Sequence, residues 1–486
     1  MVNVVRIGPM LKPDPARVLL RPFGPFEEPR LTRILARVLT LSEPQVAGLL
    51  AEMLTGFAGR HHQLERFCLA RFEQVRSHLC TDEPLSLARR TLIGAYFTKE
   101  HSVESAALFN PSMVWHPDQA GLAKGARRFI LSLRSVGEGH LSSISFRSGV
   151  IDRRCRITLD PVSPFVTAPR ILDDPFYDKE LFRRKLGEIG HSDGFAEEVL
   201  AGLDDRFTMT ALRQTVENAH SARRWRRNPD PALGRHPIIA LAEANYSAVY
   251  DPETPLSERI IYPHSPSEAN GIEDARWVEL KEEDGASQYV ATYSAYDGRL
   301  VLPQLVTTPD FLSFNVATLN GSQVQDKGMA LFPRRIGGRY AMLSRQDGEN
   351  IYLMTSDALQ FWDTREIAIK PRQPWEFVQV GNCGSPIETP EGWLVLSHGV
   401  GPMRQYSLGA FLLDLEQPTR VIGRLRKPLM SPDGAEREGY VPNVLYSCGG
   451  QVHGGHLVLP YAMSDWASGF ALVPMRELLD ELKAGC

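Results

Sequence analysis

The stretch NGIEDARWVEL (270–280), with YVATYSAY (289–296) and the turn Asp297-Gly298 behind it, decides how the rest of the chain is read. SPSEAN (265–270) and Gly271 are loop residues, whereas WVEL and YVATYSAY have the β-branched and aromatic character of two strands. An acidic pair, Glu273 and Asp274, therefore stands at the mouth of a strand, followed by Arg276. Carboxylates at such a place can be held rigidly for acid chemistry. Taken alone, the pair reads better as strand-end acids neutralised by Arg276. Basic residues further along raise the chemical reading.

Outward from this stretch the texture is β. From 236 to 486 short strands alternate with turn signals at Asp297-Gly298, Gly337-Gly338, Asp347-Gly348, Glu391-Gly392 and Gly449-Gly450. Repeating units of several short strands predict an all-β propeller rather than a sandwich, although no WD or kelch signature is present. The same texture occupies 105–165, in SAALFNPSMVWHP (105–117), RRFILSLRSV (127–136) and HLSSISFRSGV (140–150). Between these regions, 166–235 reads as a helical insertion, with FYDKELFRRKLGEI (176–189) and FAEEVLAGL (195–203). Residues 1–104 read as a Pro-rich arm followed by a helical subdomain, in which Ser42-Glu43-Pro44 is a helix start.

Composition excludes several classes. With 54 Lys plus Arg against 58 Asp plus Glu, the net charge of −4 argues against general nucleic-acid binding. No apolar run approaches the roughly 20 residues of a membrane helix. The opening MVNVVRIGPMLKPDPARV has no signal-peptide pattern. Six cysteines (68, 80, 155, 383, 448, 486) without a CxxC read as reduced thiols of a cytoplasmic protein. His61 and His62 lack further ligands and read as surface residues rather than a metal site. The basic run RRWRRN (223–228) reads as a solvated face at a helix C-terminus.

Three basic positions carry the chemical argument. Lys327 precedes one strand, Arg345 follows the next, and His398 ends the strand in GWLVLSHGV (392–400). Each alone is an ordinary surface cation. Together, beside an acidic pair, they form a set able to clamp a phosphate next to a proton donor. Asn110, Arg134 and Ser143, at the ends of the first strands, are ordinary edge residues or hydrogen-bonding partners for sugar hydroxyls. Arg334, Arg335 and Arg339 lie in a turn and read as solvated.

NGIEDARW (270–277), KGMALFPRRIGGRYAMLSR (327–345), PIETPEGWLVLSHGV (386–400) and YAMSDWASGFAL (461–472) together resemble glycoside hydrolase family 130, the mannoside phosphorylases and β-mannosidases. The resemblance covers most of 105–165 and 236–475 and omits both helical regions. It implies a five-bladed β-propeller. It also implies Asp274 as the catalytic acid, Lys327, Arg345 and His398 as phosphate ligands, and Asn110, Arg134, Glu273 and Asp465 as contacts to the sugar. The family's EDPR reads EDAR here, and Lys327 stands where Arg is common, keeping the charge but losing bidentate geometry. A Lys usual upstream of the family's PPI falls at Gln379, and PPI becomes Ser385-Pro386-Ile387.

The expected reaction follows. An inverting hydrolase needs two carboxyl groups, whereas a phosphorylase needs one acid, because inorganic phosphate is the nucleophile. The cationic set favours inverting phosphorolysis of a β-mannoside to α-mannose 1-phosphate, with no metal or organic cofactor. Asp274 must then be protonated near neutral pH, raised by burial or by Glu273. The alternatives are a β-mannosidase on the same fold, or a non-catalytic glycan-binding protein with Asp274 buried away from any cleft. Oligomer contacts and a lid are the two expectations for the helical regions.

Overall fold

Apolar side chains recur at every second position from Ala107 onward, and a strand so patterned must bury a face against another layer. The computed structural model describes residues 2–24, 27–172, 175–224 and 236–485, without the side chains of 222–224. The basic run at 223–228 and Cys486 therefore lie outside the described side chains.

Among the described residues, five antiparallel sheets of four to six strands dominate, so the chain is mainly β. Ala107–Trp115, Arg127–Val136 and Ser142–Ile151 form the first sheet, with Ile260–Ile261 paired to its outer strand. Ile272–Lys281, Ser287–Tyr296, Val301–Thr308 and Ser313–Thr318 form the second, extended by Tyr246–Val249 and Arg170–Leu172. The third runs from Ala330–Leu331 through Tyr340–Ser344 and Ile351–Ser356 to Arg365–Ile369. The fourth holds Gln379–Asn382, Gly392–Val400, Tyr406–Leu413 and Val421–Arg424. In the fifth, Leu445–Tyr446, His456–Met463 and Ala467–Pro474 are joined by Val5–Leu11, so part of the N-terminal arm is the outer strand of the last sheet.

The core lies between sheets. Val114, Ile130 and Phe146 of the first sheet pack with Trp277 and Phe314 of the second. Val278 and Leu305 pack with Leu331 and Met342 of the third, and Leu343 and Leu353 with Trp393 and Phe411 of the fourth. Leu396 and Leu412 meet Leu457 and Ala471 of the fifth. Val458 and Phe470 of the fifth then meet Met113, Phe129 and Leu131 of the first. Successive sheets share apolar clusters, and the last shares one with the first.

Two helical groups stand apart from these clusters. Glu28–Leu39, Glu43–Phe57, Leu64–Val75 and Leu87–Tyr96 bury Leu35, Val38, Phe72, Leu92 and Ile93 among themselves. Lys179–Glu188, Gly194–Ala201, Met209–Arg224 and Pro237–Glu243 surround Phe182, Leu186, Leu200, Leu212 and Ile238. The arm is pinned to the first sheet by Glu104, which is fully buried and lies 2.8 Å from both Arg17 Nε and Arg147 Nη2. His61 and His62 are engaged by Glu100 and Glu258, at 2.8 and 3.2 Å. Among the described residues no single helix is long and apolar enough to cross a membrane.

Candidate active site

Two matching bulges build the centre of the site. Phe109 pairs with Arg134 and Ser112 with Ser132, so Asn110-Pro111 faces the single residue Leu133. In the second sheet Glu273 pairs with Ser294 and Arg276 with Thr292, so Asp274-Ala275 faces Tyr293 alone. The first residue of each bulge has positive φ, 49° at Asn110 and 52° at Asp274. Such a bulge bends the strand and re-aims a side chain. Here it turns the two side chains toward each other, and Asn110 Nδ2 donates to Asp274 Oδ1 at 2.6 Å. Pro111 sits mid-strand because a bulge tolerates it. Ala275 occupies the equivalent place, so the EDAR version keeps the turn.

A continuous series of contacts runs through this pair. Lys327 Nζ lies 3.3 Å from Glu273 Oε2, and Arg134 Nη2 donates to Glu273 Oε1 at 2.9 Å. Arg134 Nη1 is 3.8 Å from Asp274 Oδ1, and Arg276 Nη2 is 3.7 Å from Asp274 Oδ2. Arg276, 1 % exposed, donates to the carbonyls of Asp274 and Cys383 and, at 2.8 Å, to the Tyr446 hydroxyl. That hydroxyl also accepts from Arg345 Nη2 at 3.4 Å, while Arg345 Nη1 lies 3.4 Å from His398 Nε2. Side-chain exposure rises outward, from 11 % at Asp274 through 19 % at Glu273 and 21 % at Arg134 to 42 % at Lys327, so the acid lies at the foot of an open rim.

The basic residues are seated by glycines. Gly328, at φ +91°, lies beneath Arg345, and a Cβ there would meet Arg345 Nε at 2.3 Å. A Cβ on Gly381 would meet His398 Cε1 at 2.4 Å. Arg345 therefore packs on the residue next to Lys327. Asp465 lies in the hairpin after Met463, again at positive φ (49°), close enough to Asp274 and Arg134 to feel both charges. The structure thus brings together the sequence-read set: Asn110, Arg134, Glu273, Asp274, Lys327, Arg345, His398 and Asp465. Arg345 and His398 touch directly, whereas Lys327 reaches them through the intervening series.

Electrostatics correct two expectations. Burial pushes the Asp274 carboxyl up, but Arg134, Arg276, the Asn110 amide and Lys327 together hold it below the ordinary Asp range. Asp274 is therefore a carboxylate in this setting, not the raised acid expected from burial and Glu273. The raised carboxyl is Asp465, which burial and the neighbouring Asp274 push up to about 6. The second correction concerns His398. It is fully buried, and burial with Arg345 and Arg276 beside it holds its pKa well below the usual His value. It is a neutral imidazole, so the expected trio of cations is two cations and a neutral ring. Because Arg345 always donates, the hydrogen-bond pattern assigns the acceptor to Nε2 and the proton to Nδ1.

Sequence reading missed Tyr446, Tyr406 and the two seating glycines. The His398 ring lies 4.8 Å from Tyr446 and stacks on Tyr406 at 5.7 Å. None of these sits in a recognisable motif. Only the glycine before Arg345's strand pair, in KGM, and the one in QVGN carried a hint. Arg334, Arg335 and Arg339 pair with Glu388, Glu282 and Asp357 away from the site. Groups of three or more metal-ligating side chains are absent among the described residues.

The chain is similar to several known proteins. A family model described as beta-1,4-mannooligosaccharide phosphorylase matches residues 238–484. A 1,2-beta-oligomannan phosphorylase of Thermoanaerobacter sp. (strain X514) is 32% identical over 228 residues, 46% of this chain and 75% of that protein. A beta-1,2-mannobiose phosphorylase of Listeria innocua is 31% identical over 231 residues, covering 46% of this chain and 63% of its own length. The solved structure of a Listeria innocua beta-1,2-mannobiose phosphorylase with beta-1,2-mannobiose matches with a TM-score of 0.45 at 22% identity, over 79% of this chain and 93% of that one. With a family model that spans residues 238–484, about half of the sequence, the chain belongs to glycoside hydrolase family 130, the family of the mannoside phosphorylases.

Proposed function

We propose that the protein catalyses inverting phosphorolysis of a β-mannoside, with Asp274 as proton donor and inorganic phosphate as nucleophile, releasing α-mannose 1-phosphate. One observation carries this reading. Arg345 is 8 % exposed, forms no ion pair among the described residues, and has for neighbours only a neutral imidazole and a phenol. Its Nε and His398 Nδ1 are buried donors without a partner among the described residues. An uncompensated buried charge is costly unless an anion completes it.

In this reading phosphate is held by Arg345 and His398, with Lys327 from the rim. A phosphate oxygen attacks the anomeric carbon, the glycosidic C–O bond breaks, and its electron pair leaves on the acceptor oxygen, which takes the proton from Asp274. The phosphate dianion also adds negative charge near Arg276, Lys327 and Asp274, which raises the Asp274 pKa. Asn110, Arg134, Glu273 and Asp465 hold the mannosyl hydroxyls. Glu273, engaged by both Arg134 and Lys327, has no lone place as a second catalytic base. No metal or organic cofactor enters the reaction.

The five sheets are read as blades of a five-bladed propeller, supported by the apolar clusters that link each sheet to the next and the fifth to the first. The two helical groups are additions to it, suited to oligomer contacts or to limiting substrate length, and the cytoplasm is the proposed location. The test is sugar release from a panel of β-mannosides with and without phosphate. Phosphate-dependent mannose 1-phosphate is expected. Free mannose at equal rate without phosphate would make the protein a hydrolase, and binding with no cleavage would make it a glycan-binding protein.

A further inference from the structure

Away from the active site, a cavity of about 320 Å³ lies between the helical insertion and the outer strands of the second sheet. Its volume falls within the roughly 300–1,000 Å³ typical of small-ligand sites. One wall comes from the insertion, with Phe176 and Lys185, and the other from Ser247, Asn315 and Gln360. The chemistry of these walls is specific. Both signs of charge are present: Lys185 is 3 % exposed and its ammonium pairs with Glu188 at 3.2 Å, while Arg206 and Asp178 are opposite residues of a two-stranded ladder. The lining is thus mixed in charge rather than a cluster of one sign.

Amides and a hydroxyl remain. Asn315 uses its Oδ1 to accept from Ser247 Oγ at 2.7 Å, which leaves its NH2 to donate elsewhere. The Gln360 side chain is exposed. Lys185 has one side-chain hydrogen bond among the described residues, with two further N–H groups on the same ammonium. Beside these donors stands Phe176, 67 % exposed, with the Arg206 guanidinium over its ring at 5.4 Å. An aromatic of that size left in solvent beside this cavity offers a flat apolar platform. Planar amides next to an aromatic platform suit a ligand with hydroxyls on its edges and C–H groups on its face.

We propose that this cavity is a second carbohydrate-binding site, taking one or two residues of a neutral oligosaccharide, with Phe176 as stacking platform and Gln360, Asn315 and Lys185 as hydroxyl partners. The choice of a β-mannoside as its ligand rests on the proposed reaction, whereas the cavity itself does not. Such a site would hold a distant part of a long chain and raise the local concentration of its ends.

The experiment uses the full chain and two probes, β-1,2-mannobiose and a β-1,2-mannooligosaccharide of six or more units. Calorimetry without phosphate should give two mannobiose sites per chain, and the Phe176→Ala/Gln360→Ala variant should give one. Both residues are exposed, so folding is preserved, and melting curves check this. The variant should keep its kcat and KM on mannobiose within twofold while its KM for the long probe rises fivefold or more. A single site in the unmodified enzyme, or two sites retained in the variant, would overturn the proposal even where phosphorolysis is normal. Two sites that fall to one, with no phosphorolysis of either probe, would support this cavity and sink the proposed reaction instead.

Discussion

Replacing Tyr446 with Phe isolates the link between the acid and the phosphate ligands. The ring is buried and nearly unchanged in volume, so the substitution deletes one oxygen and opens no cavity of consequence. That oxygen accepts from Arg276 at 2.8 Å and from Arg345 at 3.4 Å. A hydrogen bond to a charged group contributes about 1.5–3 kcal/mol, and the shorter contact dominates. Stability should fall by about 2 kcal/mol, because Arg276 Nη2 is then left with Asp274 Oδ2 at 3.7 Å as its remaining partner. Both guanidinium groups gain freedom, one beside the proton donor and one beside the nucleophile. Misplacement of about 1 Å can cost a hundredfold in rate, so kcat/KM should drop ten- to a hundredfold for phosphate and for the mannoside together. Burial keeps the phenol neutral throughout the working range, so the loss should not vary with pH. Initial rates over a grid of both substrates, with thermal melts alongside, make the measurement. A lowered melting temperature with both kcat/KM values within twofold of the unmodified enzyme would reduce Tyr446 to a packing residue and refute the coupling.

Three further outcomes are expected. Asp274→Asn should lower mannose 1-phosphate release by a factor of about 10²–10⁴, the usual worth of a general acid, while leaving the melting curve cooperative; full residual activity would remove Asp274 from the mechanism. His398→Ala should raise the KM for phosphate about tenfold and that for the mannoside less than threefold; since the ring is neutral, the ratio should be the same at pH 6 and pH 8, and a loss confined to low pH would contradict the neutral imidazole. Asp465→Asn should stabilise the protein at neutral pH while impairing sugar binding. With a folded pKa of about 6 against roughly 3.9 unfolded, Asp465 costs nothing below pH 4, an increasing amount from pH 4 to 6, and up to about 3 kcal/mol above that; denaturation at pH 4 and pH 8 should show the gain at pH 8 alone.

What the sequence carried and what it hid divide along physical lines. Strand-end identity was legible, because polar residues closing an apolar alternation stand out, and Asn110, Glu273, Asp274, Arg345 and His398 were found that way. Ionisation was hidden, since it depends on neighbours brought from other sheets. Asp274 is a carboxylate because Arg134 arrives from the first sheet, and His398 is neutral because the sheets bury it and bring Arg345 and Arg276 beside it. Tyr446 was hidden for the same reason. Its role arises from two guanidinium groups 170 and 101 residues away, and nothing in LYSCGG announces it. The paired bulges were half visible: Pro111 in the middle of an apolar strand is a bulge signal, whereas Asp274-Ala275 has none.

The strain in those bulges and the charge of the site bear on each other. Non-glycine residues at positive φ cost about 1–3 kcal/mol each, and Asn110, Asp274 and Asp465 all adopt it. A sheet tolerates this where its neighbours leave no alternative, and the result is a carboxyl fixed before any ligand arrives. Around it stand four cations, Arg134, Arg276, Lys327 and Arg345, against Glu273, Asp274 and an Asp465 that titrates near pH 6. The surplus is positive and sits at Arg345, the cation farthest from the carboxylates in the series of contacts. A bound phosphate dianion would more than cancel that surplus and turn the field at Asp274 from one that removes its proton to one that retains it. An ordered reaction follows from this balance: phosphate must be present before Asp274 can act as an acid, so the mannoside alone should bind without being cleaved.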